Sequence, residues 1–266
     1  MTQGFGPDIW LAPLVLATLF LLEAVIPFYA GRDQRLRHAG RNLTLAVISG
    51  AVASAMTPLV IAAFAFSARA EVGLTYWLGL PSLAAAITTF VLFDLWMYAW
   101  HRMNHRLPFL WRLHRVHHTD PAMDATTAFR FHPGEMALST LANCFVFVLL
   151  GMDLETFLVY KAAMVVVILI HHSNLAVPDH LDRAMCLLLV PPSMHRVHHS
   201  EPRIDTDSNY GTLFPYWDRL FGSFRRRNDL EAIRFGIGAF SSDDWQGPLR
   251  LLKLPFVDQA DARRAS

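Results

Sequence analysis

Long apolar runs, with polar residues gathered between them, fill the first two-thirds of the chain. Residues 10–30 hold Glu23 as their only charge, 43–68 hold none, and 74–100 hold Asp94 near their end. Each run reaches the length of about 20 residues that a helix needs to cross a bilayer. Runs 136–150 and 154–170 are shorter and are parted only by Gly151, Met152 and Asp153. They predict two thin spans, or a helical hairpin that enters and leaves by one face. No stretch alternates with a period of two for long enough to predict a sheet. Beyond Ile170 the pattern breaks up, with Pro178, Pro191, Pro192, Pro202 and Pro215 punctuating short segments. The expected fold is all-α: an integral-membrane helical bundle of about four spans, or three spans plus a hairpin, under a helical, histidine-rich cap. The expected division is 1–100 for the N-terminal transmembrane helices, 101–135 for a polar histidine-bearing segment, 136–170 for the transmembrane hairpin, and 171–266 for the cap and tail.

Composition supports the membrane reading. Of 266 residues 53% are hydrophobic and 17% charged, where soluble domains carry roughly 25% charged residues. A disordered chain, a collagen-like fibre and a disulfide scaffold are excluded. A soluble globule of long buried helices is disfavoured by three near-uncharged runs. The net charge of +1 gives no reason to expect nucleic acid. Cys144 and Cys186 both fall in apolar runs and offer neither a thiolate site nor an expected disulfide. Arginines cluster at 32–41 and 102–115, whereas 151–153 has no basic residue. The positive-inside rule then puts 31–42, 101–135 and 171–266 on the cytoplasmic side. The stretch 1–8 has no basic residue, so a cleaved leader is not expected.

Histidine is the outlier. There are 13, and all but His38 lie between His101 and His199. His101 and His105 are four apart. The pentapeptide HRVHH occurs twice, at 114–118 and 195–199, and His171 adjoins His172. On a helix, residues at i, i+3 and i+4 share a face, so each group projects imidazoles from one stripe. Neutral imidazole ligates iron, copper, zinc and nickel. Eight to ten such ligands exceed what one ion holds and suit two ions, each with four or five nitrogens and an open position. So many imidazoles on one membrane side would otherwise be charged or unsatisfied. His38 and His180, alone in polar segments, read as ordinary hydrogen-bonded residues.

At these residues the chain resembles the fatty acid hydroxylase / sterol desaturase superfamily, in its bacterial sterol-desaturase-like branch. HRMNH at 101–105, LWRLHRVHH at 110–118 with TAFRFHPGE at 127–135, HHSN at 171–174, and MHRVHHS at 194–200 followed by NYGTLFPYWDRLFGSF at 209–224 carry the likeness, from about Asp94 to Phe224. By position it implies His101, His105, His114, His117, His118, His172, His195, His198 and His199 as metal ligands. His171 and His132 are less certain ligands. Asp94, Asn174 and Asp218 are candidates to orient ligands, since a ligating histidine usually donates its other N–H to a carboxylate or carbonyl. Asp94 is foremost, two helical turns before His101. Asn104, Asp120, Asp124, Glu135, Asp207 and Asn209 are further candidates. HPGE at 132–135 is similar to the haem motif of a fused cytochrome domain but has no separate stretch around it, so no haem is expected.

The resemblance implies a membrane non-haem di-iron enzyme. It would use two Fe²⁺ ions, O₂, and electrons from a separate ferredoxin- or cytochrome-type protein of a reductase chain. The reaction would be hydroxylation or desaturation of a membrane lipid (fatty acyl, sterol-like or other isoprenoid), in a bacterial inner membrane with the site facing the cytoplasm. Trp96, Tyr98, Trp100, Phe109 and Trp111 read as interfacial anchors. Arg112, Arg115 and Arg196 could meet a phosphate head group or the nearby acids. The alternative is a membrane-bound zinc-dependent hydrolase, although a catalytic zinc commonly takes three protein ligands and a water. A metal transporter would place ligands near mid-bilayer in repeated halves, unlike these clusters at the ends of spans. An inactive scaffold fits poorly with eight intact box histidines.

Overall fold

A computed structural model of the chain describes residues 8–258. Residues 1–7, part of the stretch read for a leader, and 259–266, the end of the tail, lie outside the described residues. Among the described residues every regular element is helical, with two isolated β-bridges, Pro27–Leu175 and Ser200–Phe235.

Proline and glycine decide where the apolar runs break. Helix α1 (Asp8–Val25) ends earlier than the run 10–30, because Ile26 precedes a proline and is driven from the helical region. The run 43–68 is two helices, not one. Helix α2 (Arg35–Ala55) begins within the polar stretch, and α3 (Thr57–Ala70) follows across Met56. Pro58 has no N–H for the carbonyl four residues back, which interrupts the ladder there. The run 74–100 also divides, into α4 (Leu74–Trp77) and, after a turn through Gly79 and Pro81, α5 (Ser82–Arg106). Helix α5 continues through His101 and His105, so that pair ends a membrane helix rather than opening the next segment. Helix α6 (Pro108–His118) carries the first HRVHH.

Helices α7 (Pro133–Leu150) and α8 (Leu154–His172) have 18 and 19 residues. Both are of spanning length, unlike the short runs that the sequence alone marks out. Among the described residues, Thr57–Trp77, Ser82–Arg106, Pro133–Leu150 and Leu154–His172 are the four stretches long and apolar enough to cross a membrane. The α7–α8 pair is not a close-packed hairpin. The two helices touch near their turn, where Phe147 and Phe157 have ring centroids 4.7 Å apart, and α5 packs against both. Further toward the cap a cavity lies between them.

Short helices build the cap: α9 (Asp179–Met185), α10 (Pro192–His198) with the second HRVHH, α11 (Arg203–Thr206), α12 (Tyr216–Leu220) and α13 (Pro248–Lys253). At the far end the turn after α3 meets the α7–α8 turn. Thr75 donates to the Gly151 carbonyl at 2.9 Å. A Cβ on Gly73, at φ +129°, would lie 2.3 Å from the Gly151 nitrogen, so only glycine allows this approach. Every histidine box is therefore at the opposite end, as the charge pattern requires.

Buried ion pairs tie the cap end together. Glu23 is 1% exposed and accepts from the backbone N–H groups of Ala125 (2.9 Å) and Asn174 (2.7 Å) and from Arg35 (3.2 Å). Arg130, fully buried, donates to the Val116 carbonyl, Asn42, Thr119 and Gln246, and so pins the end of α6. His38 is no isolated polar residue: its ring nitrogens lie 2.7 Å from Asp120 and 2.9 Å from Asp124.

Burial opposes charge on His38, but the two carboxylates outweigh it and raise its pKa from 6.5 to about 10. Burial would likewise raise Asp120, yet the His38 charge facing it holds it well below 3.8. The stabilisation from protonated His38 is complete below its unfolded-state pKa of 6.5 and is lost as pH rises through about 10. Thermal unfolding in detergent should therefore show stability falling across that window. His38→Gln should be less stable at the low end of the window and have a flatter profile through it. Parallel profiles for the two proteins would refute this role.

Candidate metal centre

The ends of two membrane helices and two shorter helices bring the boxes to one level. The last turns of α5 and α8 deliver His101, His105, His171 and His172. Helices α6 and α10, each with a proline in its first turn, deliver the two HRVHH segments. Pro108 and Pro192 need no acceptor for a missing N–H, which suits them to that position. The repeat extends to local environment. Val116 and Val197 are both in the core. Arg115 donates to the carbonyls of Leu254 and Val257 and lies over Phe240; Arg196 donates to those of Ser173 and Leu175 and lies over Phe28. Neither guanidinium meets an acid or is free for a head group, and Arg112 pairs with Asp258.

Nine imidazoles form two groups whose nitrogens lie within 4.8 Å of one another: His101, His105, His114, His118 and His198 in the first, His117, His172, His195 and His199 in the second. The groups interleave. The first HRVHH gives its first and last histidines to one group and its middle one to the other; the second HRVHH does the reverse. His118 and His199 stack across the boundary with centroids 4.5 Å apart.

The nitrogen spacing tests whether metals fit. Nε2 atoms approach at 3.3 Å for His114–His118, 3.1 Å for His117–His172, 2.9 Å for His172–His195 and 3.1 Å for His195–His199. Ligands at about 2.0–2.1 Å from one ion are roughly 2.9 Å apart at right angles and roughly 3.4 Å apart in a tetrahedron. The observed spacings fall in that interval. Nε2 of His101, His105 and His198 is buried without any partner, an expensive state for a polar atom unless an ion accepts its lone pair. Burial first, and then neighbouring imidazoles, push His117, His118, His195 and His199 well below 6.5. Burial similarly brings His198 down to about 3. All five are neutral at physiological pH, which is the ligating form.

Outer contacts fix which nitrogen faces inward. Nδ1 of His101 donates to the Tyr210 carbonyl (2.9 Å), that of His172 to the Ile168 carbonyl (2.7 Å) and that of His198 to the Ser208 carbonyl (2.6 Å). His114 Nδ1 lies 2.7 Å from the buried Glu135 carboxylate. Each of these four contacts leaves Nε2 for a metal; His105 Nδ1, 3.5 Å from Asp207, makes no hydrogen bond. Three of the four partners are backbone carbonyls, which residue types do not reveal. Tyr210 also packs its ring against His101, His105 and His198.

Other expected residues lie elsewhere. His171 is outside both groups, stacked on His195 at 3.9 Å. His132 caps α7, with Nδ1 accepting from Gly134 N–H and Nε2 facing the Leu252 carbonyl. Asp94 bonds no histidine; it accepts from Tyr160, Trp217 and the backbone N–H groups of Leu213 and Phe214. Asn174 exchanges hydrogen bonds with the Tyr29 backbone. Asp218 accepts from the N–H groups of Tyr210 and Gly211 and so holds the loop whose carbonyl meets His101.

A cavity of about 360 Å³ opens onto both groups. His101, His114, His117, His172 and His195 form its floor, and Met97, Trp100, Met136, Met164, Val165 and Ile168 line its apolar walls. Trp96 and Trp100 donate across to Asn143 and Ser139 of α7 at 2.8 and 2.9 Å, so their indole N–H groups are taken up within the bundle. Tyr98 is buried, and Trp111 packs on His105 and His118.

Comparison with known proteins agrees with this site. The family model described as fatty acid hydroxylase matches residues 86–223, more than half of the chain and all nine clustered imidazoles. The chain belongs to the fatty acid hydroxylase family. Relatives of this hydroxylase-family chain include the ornithine lipid hydroxylase OlsE of Rhizobium tropici, 27% identical over 59% of this chain and 46% of its own length. The alkylglycerol monooxygenase of Caenorhabditis elegans is 28% identical over 54% of this chain and 28% of its own length. The human lathosterol oxidase is 30% identical over 58% and 49%. The match thus spans less than half of each of these relatives. No solved structure matches.

The geometry predicts selective effects on metal loading. His195→Ala should lower metal bound per chain, read by elemental analysis after purification with Fe²⁺, while His132→Ala should leave it unchanged. The latter loses a helix cap, a stability cost of about 0.5–2 kcal/mol, and the contact with the Leu252 carbonyl, neither of which involves the clustered imidazoles. Equal metal loss in both variants would contradict the assignment of His132.

Proposed function

We propose that this chain is an O₂-dependent di-iron oxidoreductase that hydroxylates or desaturates a C–H-bearing carbon of a membrane lipid. The observation that carries the reading is a five-nitrogen and a four-nitrogen imidazole group facing one apolar cavity among membrane helices. Two iron ions held there would supply the reductive activation of O₂. Hydroxylation converts R–H, O₂, two electrons and two protons to R–OH and water. Desaturation takes two hydrogens from adjacent carbons and returns two waters. The electrons come from a separate ferredoxin- or cytochrome-type protein.

The chain's own residues orient and exclude. Glu135 and the three backbone carbonyls hold the Nδ1 protons of their histidines and keep the inward nitrogens basic. The walls place a hydrocarbon segment against the imidazole floor and keep bulk water from it. Trp100, held by Ser139, and Met164 with Val165 on α8 set the width of that slot. The names of the relatives all concern lipids, which supports a lipid substrate here. The site would face the cytoplasm of a bacterial inner membrane, in line with the arginines at the cap end. A zinc hydrolase would leave most of the nine nitrogens without use.

The deciding experiment supplies purified protein in lipid bilayers with reductant and O₂ and follows O₂ consumption together with lipid masses. A lipid heavier by one oxygen or lighter by two hydrogens is expected; redox-silent metal with no O₂ uptake would overturn the reading. Gly50 lines the cavity, and a Cβ there meets nothing within 4 Å. Gly50→Phe should therefore fold and bind metal as the wild type does, yet lose turnover several-fold because the slot is filled. Unchanged turnover in that variant would place the substrate elsewhere.

A further inference from the structure

The loop before α10 and the segment around α12 make one hairpin-like unit that lies along α5. It is anchored by Asp94, seven residues before His101 on α5 and so about 10 Å below the level of the histidines. Three donors from the α12 segment reach this carboxylate: the N–H groups of Leu213 (3.2 Å) and Phe214 (3.3 Å), and Trp217 Nε1 (2.8 Å). Leu213 is buried in the core formed by Phe64, Phe93, Phe147 and Tyr160 of the spans. Phe214 lies 6.3 Å from Phe90, one turn deeper still, and Phe221 stacks on Tyr98 at 5.5 Å.

The outer surface of this unit is apolar except for Arg219, whose guanidinium turns back to the Cys186 carbonyl. Leu187, Leu188 and Leu220 are 66%, 65% and 69% exposed, with Tyr216 and Phe221 beside them at 44% and 46%. Its irregular backbone is satisfied from within. Leu187, Leu188 and Leu189 donate to carbonyls of Ala184 and Met185, and Val190 donates to Leu213. The Leu187 carbonyl accepts from the Tyr216 hydroxyl and that of Cys186 from Arg219. Pro191, Pro192 and Pro215 have no N–H to satisfy. Non-helical backbone survives at membrane depth only when its polar groups are met by protein in this way.

We infer that the unit formed by residues 185–191 and 212–224 is a re-entrant element embedded in the bilayer, with Leu187, Leu188 and Leu220 in contact with lipid acyl chains. The cap is then wedged into the membrane beside α5, which also explains a carboxylate inside a span. The occupant of this surface is hydrocarbon, because its anchor lies at the depth where α5 itself is surrounded by it. This inference does not depend on the chemistry proposed above.

Spin labels placed singly at Leu188→Cys and Leu220→Cys, in the full chain carrying Cys144→Ala and Cys186→Ala in phosphatidylcholine vesicles, test it. Collision with O₂ should exceed collision with a water-soluble nickel chelate at both positions, as at a lipid-facing Ile87→Cys control and opposite to a Glu201→Cys control on the cap. Nickel access like that at Glu201→Cys would overturn the assignment. So would poor access to both reagents with spin–spin broadening, which would mean that a second copy covers the patch. The unlabelled native chain gives an independent measurement should the variants not fold. A phosphatidylcholine with a diazirine in its acyl chain should form adducts on 187–188 and 216–221, and their absence, with adducts on α5 present, would overturn it.

Discussion

Nine imidazoles withdrawn from water at one level of a helical bundle impose the constraint on which the rest depends. A buried imidazole needs a partner for each nitrogen. On the outward side several find one: the carbonyls of Tyr210, Ile168 and Ser208, and Glu135. On the inward side they face each other at 2.9–3.3 Å or face nothing. Such lone pairs are tolerable only if a cation shares them. The helix ends follow from this: the last turns of α5, α6, α8 and α10 must reach the same depth. Prolines in the first turns of α6 and α10 fix where those two helices begin.

Buried acids hold this arrangement from outside. Glu23, Asp94, Asp120 and Asp218 each gather several donors from separate segments, and none of the four touches a clustered imidazole in the hydrogen bonds described. Glu23 joins α1 to the loops after Asp124 and Ser173. Asp94 draws the α12 segment down onto α5, and Asp218 shapes the loop behind His101. Each is a point where losing one carboxylate strands two or more buried donors, at roughly 1–3 kcal/mol per group. The metal-facing geometry therefore rests on electrostatics one layer removed from it.

Which parts of this were legible in the sequence follows from what each depends on. The helical class and the common side of the boxes were legible because period and charge are local patterns. The breaks at Pro58 and before Pro27 are also local, but they lie inside apolar runs whose length conceals them. Glu23 could be read only as a lone charge in a span, since its partners Ala125 and Asn174 are about a hundred and a hundred and fifty residues away. Asp94 shows the opposite failure. Helical spacing correctly puts it on the His101 side of α5, yet nothing in that spacing reveals that Trp217 and Tyr160 claim it. His38 looked ordinary because its value lies in two distant acids. The backbone carbonyls that orient His101, His172 and His198 leave no mark on residue identity at all.

The repeated HRVHH is where local pattern and tertiary geometry meet. Positions one and five of the motif lie a little more than a turn apart, about 40° round the helix, and position four lies on the other side, about 60° from position one and about 100° from position five. The sequence pattern puts all three on one face, but in this structure each helix aims them at two points rather than one. Two such helices set against each other can complete two points, each taking the pair from one motif and the odd one from the other. That is the division seen here, with His114, His118 and His198 against His195, His199 and His117. Arg115 and Arg196 are turned away to backbone carbonyls, and Val116 and Val197 fill the core behind. Every residue of the motif has one task, and the same task twice. The interleaving also means that neither group can be moved without the other, because His117 and His118 are neighbours on one backbone, as are His198 and His199. A pair of ions bound there would be held at a separation set by the peptide chain itself rather than by a flexible bridging side chain.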